Sequence, residues 1–305
     1  MARASLFVAV SVALSVGTLV PSASAATTVF GGSALAARGT LVHPGARVPA
    51  LPATTATAFI VADATTGKIL AARNVHSRLA PASTLKTLTA LSALPWLSGS
   101  TRVVGTRTAA ATEGTQVGIN AGQTYTAKQL FTAMLVMSAN DAAVSVGDAL
   151  GGGQRALAKL NAEAAHLQAR DTVAHTTNGL DAPGQTSSAY DLALIFRAGI
   201  ANPRFRYYIS LRSALFPLAN GASYRIYTHD RLLNSYPGMI GGKNGYTITA
   251  QASFVGAAQS GGHTIIVAVM RDVPDFWPEV KALLDWGFAA DGHVTPVGYL
   301  VAPRR

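Results

Sequence analysis

The chain has 305 residues, 49% hydrophobic and only 12% charged, with a formal net charge of +10 and no cysteine. A low charged fraction beside an ordinary apolar one excludes a disordered polyelectrolyte, and the lack of cysteine excludes disulfide scaffolds, zinc fingers, iron–sulfur sites and thiol nucleophiles. The length gives room for a sizeable core in one large domain or two modest ones.

Arg3 is followed by an uncharged apolar run from Ser5 to Val20, then Pro21 and the small residues Ser22-Ala23-Ser24-Ala25. A basic start, a short apolar middle and an Ala-x-Ala end predict a secretory signal peptide over residues 1–25, cleaved after Ala25. The run is short for an uncleaved anchor helix, and no second apolar stretch reaches spanning length. The protein is therefore expected to be secreted or otherwise extracytoplasmic, with no stable transmembrane anchor. Subtracting Arg3 from the formal +10 leaves +9 on the mature chain. Such a charge draws an exported protein to anionic wall polymers or lipid head groups, so association with the cell envelope is expected. The charge is spread thinly, with no Lys/Arg run interleaved with aromatics, which argues against nucleic acid as a partner.

Residues 26–55 are rich in Ala, Thr, Gly and Pro without a sustained period and predict a flexible leader. An ordered domain is expected over 56–290. Residues 57–63 and 68–74 read as two strands around a turn at Ala64-Thr65-Thr66-Gly67. Pro81-Ala82-Ser83 opens an apolar helical pattern that Pro95 ends. The middle of the chain is helical. Thr126 is a candidate cap for one helix, a break at Ser138-Ala139-Asn140-Asp141 precedes a second, Gly151-Gly152-Gly153 precedes a third, and Ser187 or Ser188 caps a fourth. Strand-like texture returns after Arg225, and Thr249–Ala258 and His263–Arg271 form a hairpin around Gly261-Gly262. Pro278-Glu279 opens a last helix that ends near Ala290, with Trp286 and Phe288 in its core-facing set. Residues 291–305 are a short C-terminal tail. Strands at both ends and helices between predict an α+β fold: an antiparallel sheet flanked by helices, with an all-helical subdomain inserted.

Common hydrolase and metal signatures are missing from the sequence. Gly-x-Ser-x-Gly does not occur, and no two of the seven His lie at metal-ligand spacing. Gly151-x-Gly153-x-x-Ala156 follows a helical pattern rather than a strand, so it reads as a helix junction and not a dinucleotide loop. Three other signatures occur once each: Ser83-x-x-Lys86, Ser138-x-Asn140 and Lys243-x-Gly245. Ser83 opens a helix, Ser138 sits between helices, and Lys243 lies in a Gly-rich segment before a predicted strand. Such positions can converge on a cleft between a sheet and a helical subdomain. A serine hydroxyl needs an adjacent base to become a nucleophile. Lys86 lies one helical turn from Ser83 on the same face and serves as that base when neutral. Burial and the like charge of Lys243 would both keep it neutral. The helix start leaves the Ser83 N–H free as an oxyanion donor.

The three motifs, in this order, resemble those of the penicillin-binding proteins and serine β-lactamases. Five blocks resemble the low-molecular-mass D-alanyl-D-alanine carboxypeptidases of the S11 peptidase type: AFIVADATTGKILAARN, RLAPASTLKTLTAL, LVMSANDAAVSVGDAL, TTNGLDAPGQTSSAYDLA and GMIGGKNGYT. The resemblance runs from about Ala56 to Ala290. It implies a β-lactamase/transpeptidase-like fold and a penicillin-recognising serine peptidase over 56–290. The implied reaction removes the terminal D-Ala of peptidoglycan pentapeptide stems through a Ser83 acyl-enzyme, without metal or cofactor. β-Lactams are the implied covalent inhibitors. The implied catalytic set is Ser83, Lys86 and Ser138, with Ser138 passing a proton to the leaving amine. Asn140 would hold the substrate amide, Lys243 and Asn244 the terminal carboxylate. Gly245 would allow close approach, and the N–H of Tyr246 would be the second oxyanion donor.

Two positions depart from the family pattern. Asn244 stands where Thr or Ser is usual; it is bulkier and has no hydroxyl for proton relay. Gln185 stands where His is expected. Relatives with a C-terminal β-domain and membrane anchor extend beyond the equivalent of Arg305, so neither is expected here. Asn178-Gly179 reads first as a turn, and His229, Asp230 and the ring of Tyr246 are given no role. The alternatives are a β-lactamase, a DD-endopeptidase or transpeptidase on the same fold, and a catalytically weak wall-binding homologue. The Glu-x-x-x-Asn loop of the commonest β-lactamases is not evident, since Glu163 is followed by Ala-Ala-His-Leu.

Overall fold

The computed structural model describes residues 1–2 and 29–304. Most of the expected signal peptide thus lies outside the described residues. Strand β1 (Thr40–Val42) precedes the hairpin of β2 (Ala58–Asp63) and β3 (Lys68–Arg73). A 3-10 turn (Ala82–Leu85) runs directly into helix α1 (Lys86–Ala93). The middle holds β4 (Arg102–Val104), α2 (Arg107–Ala110), β5 (Thr124–Thr126), α3 (Ala127–Val136), α4 (Asn140–Ala149) and α5 (Gly153–His166). Helices α6 (Ala189–Ala201) and α7 (Pro203–Ile209) follow. A hairpin of β6 (Ser213–Pro217) and β7 (Ser223–Tyr227) and the short α8 (Leu232–Ser235) lead to β8 (Met239–Thr247). Strands β9 (Gln251–Ser260) and β10 (His263–Asp272), helix α9 (Trp277–Ala290) and β11 (Gly298–Tyr299) complete the chain.

The main sheet is antiparallel, in the order β1-β3-β2-β10-β9-β8, and β11 also pairs with β3. Its central strands are apolar on both faces because both faces are covered. Phe59, Val61, Val267 and Val269 point to one side and pack with Val280, Leu283 and Leu284 of α9. Ile60, Ala62, Ile266 and Ala268 point to the other and join a larger core with Leu88 of α1 and Ile195 of α6. Burying each Val, Ile, Leu or Phe among these contributes roughly 1.5–3 kcal/mol. The largely helical segment between β3 and β8 packs against the side of the sheet that carries Ile60 and Ile266.

Local signals explain the helix starts. Thr126 accepts from the Gln129 N–H while the Gln129 side chain accepts from the Thr126 N–H, a reciprocal cap that fixes the entry to α3. Ser188, not Ser187, caps α6 by accepting from Asp191 N.

Two sequence expectations need correction, and the short tail gains a partner. The segment 26–55, read as a flexible leader, is laid onto the domain from residue 29 on. Thr40–Val42 pair with Ala71–Arg73, Leu35 is buried, and the Pro49 carbonyl accepts from Trp286 Nε1 at 2.9 Å. Main-chain pairing of this kind needs no side-chain period, so composition alone missed it. The tail after Ala290 is likewise tied down, with Gly298 and Tyr299 paired to Ile69 and Lys68. Lys243, expected just before a strand, lies inside β8.

Candidate active site

Ser83 lies in the 3-10 turn, and Lys86 is the first residue of α1. The spacing brings Lys86 Nζ to 2.7 Å from Ser83 Oγ. Two further acceptors converge on the amine: Asn140 Oδ1 at 2.7 Å and the Asn178 carbonyl at 2.7 Å. Lys86 is completely buried. Burial pushes its pKa well down, and the charge of Lys243 pushes it further, opposed only by Asp141. A neutral amine has two N–H bonds and one lone pair. With the two amide oxygens accepting those N–H bonds, the lone pair is left to Ser83 O–H, the geometry a general base requires.

The surroundings of this pair are crowded and partly strained. Ala82, just before Ser83, has φ +49, and Ser138 has φ +65, a region costly for residues with a Cβ. A Cβ on Gly179 would collide with the Ala82 carbonyl, so only glycine lets the Asn178 loop reach the serine turn. Gln185 ties that loop down. Its Oε1 accepts from the His175 and Thr176 N–H groups and from Thr176 Oγ1, and its Nε2 donates to the Leu180 carbonyl. Gln185 thus helps to place the Asn178 carbonyl.

The second motif forms the opposite wall. Ser138 is buried at the bend between α3 and α4, and Asn140 opens α4. Both ends of the Asn140 amide are engaged within the protein, Oδ1 with Lys86 and Nδ2 with the Glu113 carbonyl at 2.7 Å. Asn140 was expected to hold a substrate amide; here it orients Lys86. Asp141, which sequence reading passed over, accepts from the N–H groups of Val117, Gly118 and Ile119 and so holds the loop that carries Glu113.

The third motif lies on β8, which pairs with β9 from Met239 to Thr247. Gly245 faces the serine turn, and Lys243 lies on the same side of the strand. Lys243 is 1% exposed, and its Nζ donates to the Asn244 carbonyl at 2.5 Å. Burial brings its pKa down to about 7, with nearby Asp230 opposing the fall. The two buried lysines repel one another, so at neutral pH the pair carries fewer than two charges. Sequence reading assigned Lys243 to a substrate carboxylate; here its amine is engaged by the Asn244 carbonyl. Asp230 is buried too, with Oδ1 accepting from Leu232 N and Oδ2 unpartnered; its pKa is pushed up to about 6, chiefly by burial. Asn244 is half-buried, and the Tyr246 ring is exposed. Among the described residues no group of three or more His, Asp or Glu side chains is placed to hold a metal ion.

The comparisons with known proteins agree with this geometry. The D-alanyl-D-alanine carboxypeptidase family model of peptidase S11 matches residues 46–273. The chain is 44% identical to the D-alanyl-D-alanine carboxypeptidase DacB2 of Mycobacterium tuberculosis strain H37Rv, over 81% of this chain and 87% of that one. A crystal structure of a D-alanyl-D-alanine carboxypeptidase from the same organism superposes with a TM-score of 0.81 at 42% identity, covering 85% of this chain and all of the other. The Streptomyces K15 DD-transpeptidase, 24% identical over 79% of this chain and 100% of its own, shares the fold with a TM-score of 0.74. The chain therefore belongs to the D-alanyl-D-alanine carboxypeptidases of the S11 serine peptidase family.

Proposed function

We propose that this protein is an exported DD-carboxypeptidase that cleaves the terminal D-Ala from peptidoglycan pentapeptide stems through an acyl-enzyme on Ser83. The observation that carries the reading is the buried Lys86 amine, 2.7 Å from Ser83 Oγ and held by two amide oxygens. Neutral Lys86 takes the hydroxyl proton as Ser83 Oγ attacks the carbonyl of the penultimate D-Ala. The oxyanion that forms is stabilised by the N–H groups of Ser83 and Tyr246, each worth about 2.7–4 kcal/mol in such a role. The proton held by Lys86 passes through Ser138 to the departing D-Ala amine, the C–N bond breaks, and Lys86 is neutral again. Water then attacks the acyl carbonyl, Lys86 takes its proton, and Ser83 is released with the shortened peptide as a carboxylic acid. A β-lactam amide occupies the same position and acylates the same oxygen.

The basic net charge supports a place at the anionic wall. No helix among the described residues is long and apolar enough to cross a membrane. The test is D-Ala release from a peptide ending in D-Ala-D-Ala, with fluorescent penicillin labelling run beside it. Release and labelling that both vanish in Ser83→Ala are the expected result. A folded wild type that labels but releases nothing would replace this reading with action on cross-linked stems.

A further inference from the structure

Ser83, Lys86 and Thr89 follow one another at intervals of three, so they lie along one side of the serine turn and α1. Thr89 is completely buried. A hydroxyl in mid-helix ordinarily donates back to the carbonyl four residues earlier. Here that carbonyl, of Leu85, lies 3.4 Å from Thr89 Oγ1, whereas the Thr177 carbonyl lies at 2.7 Å. A hydroxyl has one proton, and the shorter contact takes it. Thr89 therefore reaches out of its own helix to the loop that carries Asn178.

Two successive carbonyls of that loop are thus held by one face of α1, Thr177 by Thr89 and Asn178 by Lys86. The other bonds of residues 176–180 are made within the loop. Gln185 engages Thr176 and Leu180, the Gly179 N–H donates to Thr176 Oγ1, and the Leu180 N–H donates to Asn178 Oδ1. Among the described residues no further hydrogen bond joins 176–180 to an element outside the loop. Between the loop and helices α4 and α5 lies a hollow of about 250 Å³, lined among others by Val144, Gly147, Ala156, Leu157, Thr176 and Asn178. Neither Lys86 nor Thr89 lines it. The loop therefore has α1 on one side and room to retreat on the other, and the bond from Thr89 opposes that retreat.

We infer that Thr89 is a positioning residue for the proposed reaction: by holding the Thr177 carbonyl it keeps the Asn178 carbonyl on Lys86, and so keeps the lysine lone pair turned to Ser83. This rests on the reading of Ser83 as nucleophile and Lys86 as its base. Without the hydroxyl the buried Thr177 carbonyl has no partner, and the loop shifts toward the hollow, where water can supply one. Lys86 then loses an acceptor. A carbonyl oxygen favours the ammonium over the neutral amine, so its loss lowers the lysine pKa. The freed N–H also lets the amine rotate, and its lone pair no longer faces Ser83 Oγ alone.

The experiment compares the wild type with Thr89→Val, which keeps the shape and removes the donor, and with Thr89→Ser, which keeps the donor. Lys86 is titrated by NMR on protein with carbon-13 lysine, of which the chain has six. The rate of acylation by a fluorescent penicillin is followed against pH on the same samples. In Thr89→Val the Lys86 pKa and the ascending limb of the rate profile are both expected to move down by about one unit. The plateau rate should fall by about tenfold or more. Thr89→Ser should match the wild type in all three. The charged groups that act on the amine are Lys243 of β8 and Asp141 of α4, with His229 ahead of α8 in range, and none of them is altered. A threonine that only supports the fold would lower the melting temperature and leave the limb and the lysine titration in place, and that result overturns the inference. So does a change in Thr89→Ser as large as in Thr89→Val. Should Thr89→Val not fold, Thr89→Ala removes the same donor and is judged by the same readouts. If the lysine titration moves as expected but the wild type is never acylated, the acyl-enzyme reading fails while the positioning stands.

Discussion

Gly245 of β8 lies against the main chain of Ser83. A Cβ built there would stand 2.5 Å from the Ser83 nitrogen and 2.9 Å from Ala82 Cβ. Strand and serine turn are therefore packed backbone to backbone, and the Ser83 N–H opens directly onto the edge strand. Gly245→Ala must push the two apart. Because a displacement of about 1 Å costs on the order of 100-fold in rate, acylation by penicillin should fall by about that factor. The melting temperature should change far less. Unchanged acylation would show that the strand and the turn do not cooperate.

Asn140→Asp is expected to shift the pH dependence of acylation. The rate follows the neutral fraction of Lys86, so it rises with pH until the amine is deprotonated. A carboxylate 2.7 Å from Nζ in place of the amide oxygen favours the ammonium and raises the lysine pKa, by roughly 1–3 units for an opposite charge at this range. The ascending limb of the pH–rate profile should move to higher pH by about that much, and the plateau should persist. A limb that stays in place would remove Lys86 from the role of base.

Asp191 offers a test on stability alone. Burial, reinforced by the Asp171 charge, pushes its pKa from the usual 3.8 up to about 7. A raised carboxyl pKa favours folding fully below the unfolded value and loses that contribution as pH rises through the folded value. Stability should thus decline between about pH 4 and pH 7 on this account. Asp191→Asn keeps an oxygen that can accept from Asp171 N and Thr172 Oγ1, at 2.7 and 2.8 Å in the wild type, but does not ionise. Three pKa units correspond to about 4 kcal/mol, so denaturant unfolding should show the variant gaining on the wild type by up to that order from pH 4 to pH 8. Parallel curves would contradict it.

Leu35 tests the ordering of the N-terminal segment. It is 3% exposed and packs into the main core near Gly298. Leu35→Ala should cost about 2–5 kcal/mol of unfolding free energy, measured by denaturant titration. A leader detached from the domain would leave the value unchanged.

Much of the candidate site was legible because it is built from side chains at fixed spacing. Ser83 and Lys86 sit one helical turn apart, and three short signatures in order point to one cleft. The β9–β10 hairpin and α9 were legible from alternation and from Pro278. What escaped was carried by the main chain. The Asn178 carbonyl that holds Lys86 has no side-chain signature, and the pairing of Thr40–Val42 with β3 needs no apolar pattern. The β6–β7 hairpin escaped because Leu215 and Tyr227 are exposed, which breaks the inside–outside alternation. The burial of Lys243 escaped for another reason. A lysine among glycines reads as a solvated charge, and only the register of β8 with β9 shows it buried.

Strands β1 and β11 lie end to end along the outer side of β3, so the chain closes that margin of the sheet with its own two ends. Among the described residues β8 pairs on one side only, with β9. The margin that remains is thus the one bearing Lys243, Asn244, Gly245 and Tyr246. An extended peptide arriving there meets a row of main-chain donors and acceptors and can add itself as a further strand. Recognition of that kind reads the path and handedness of the backbone before it reads side chains. It would let one enzyme accept stems that differ in their middle residues, while a stem with an N-methylated peptide bond at the pairing positions would be refused.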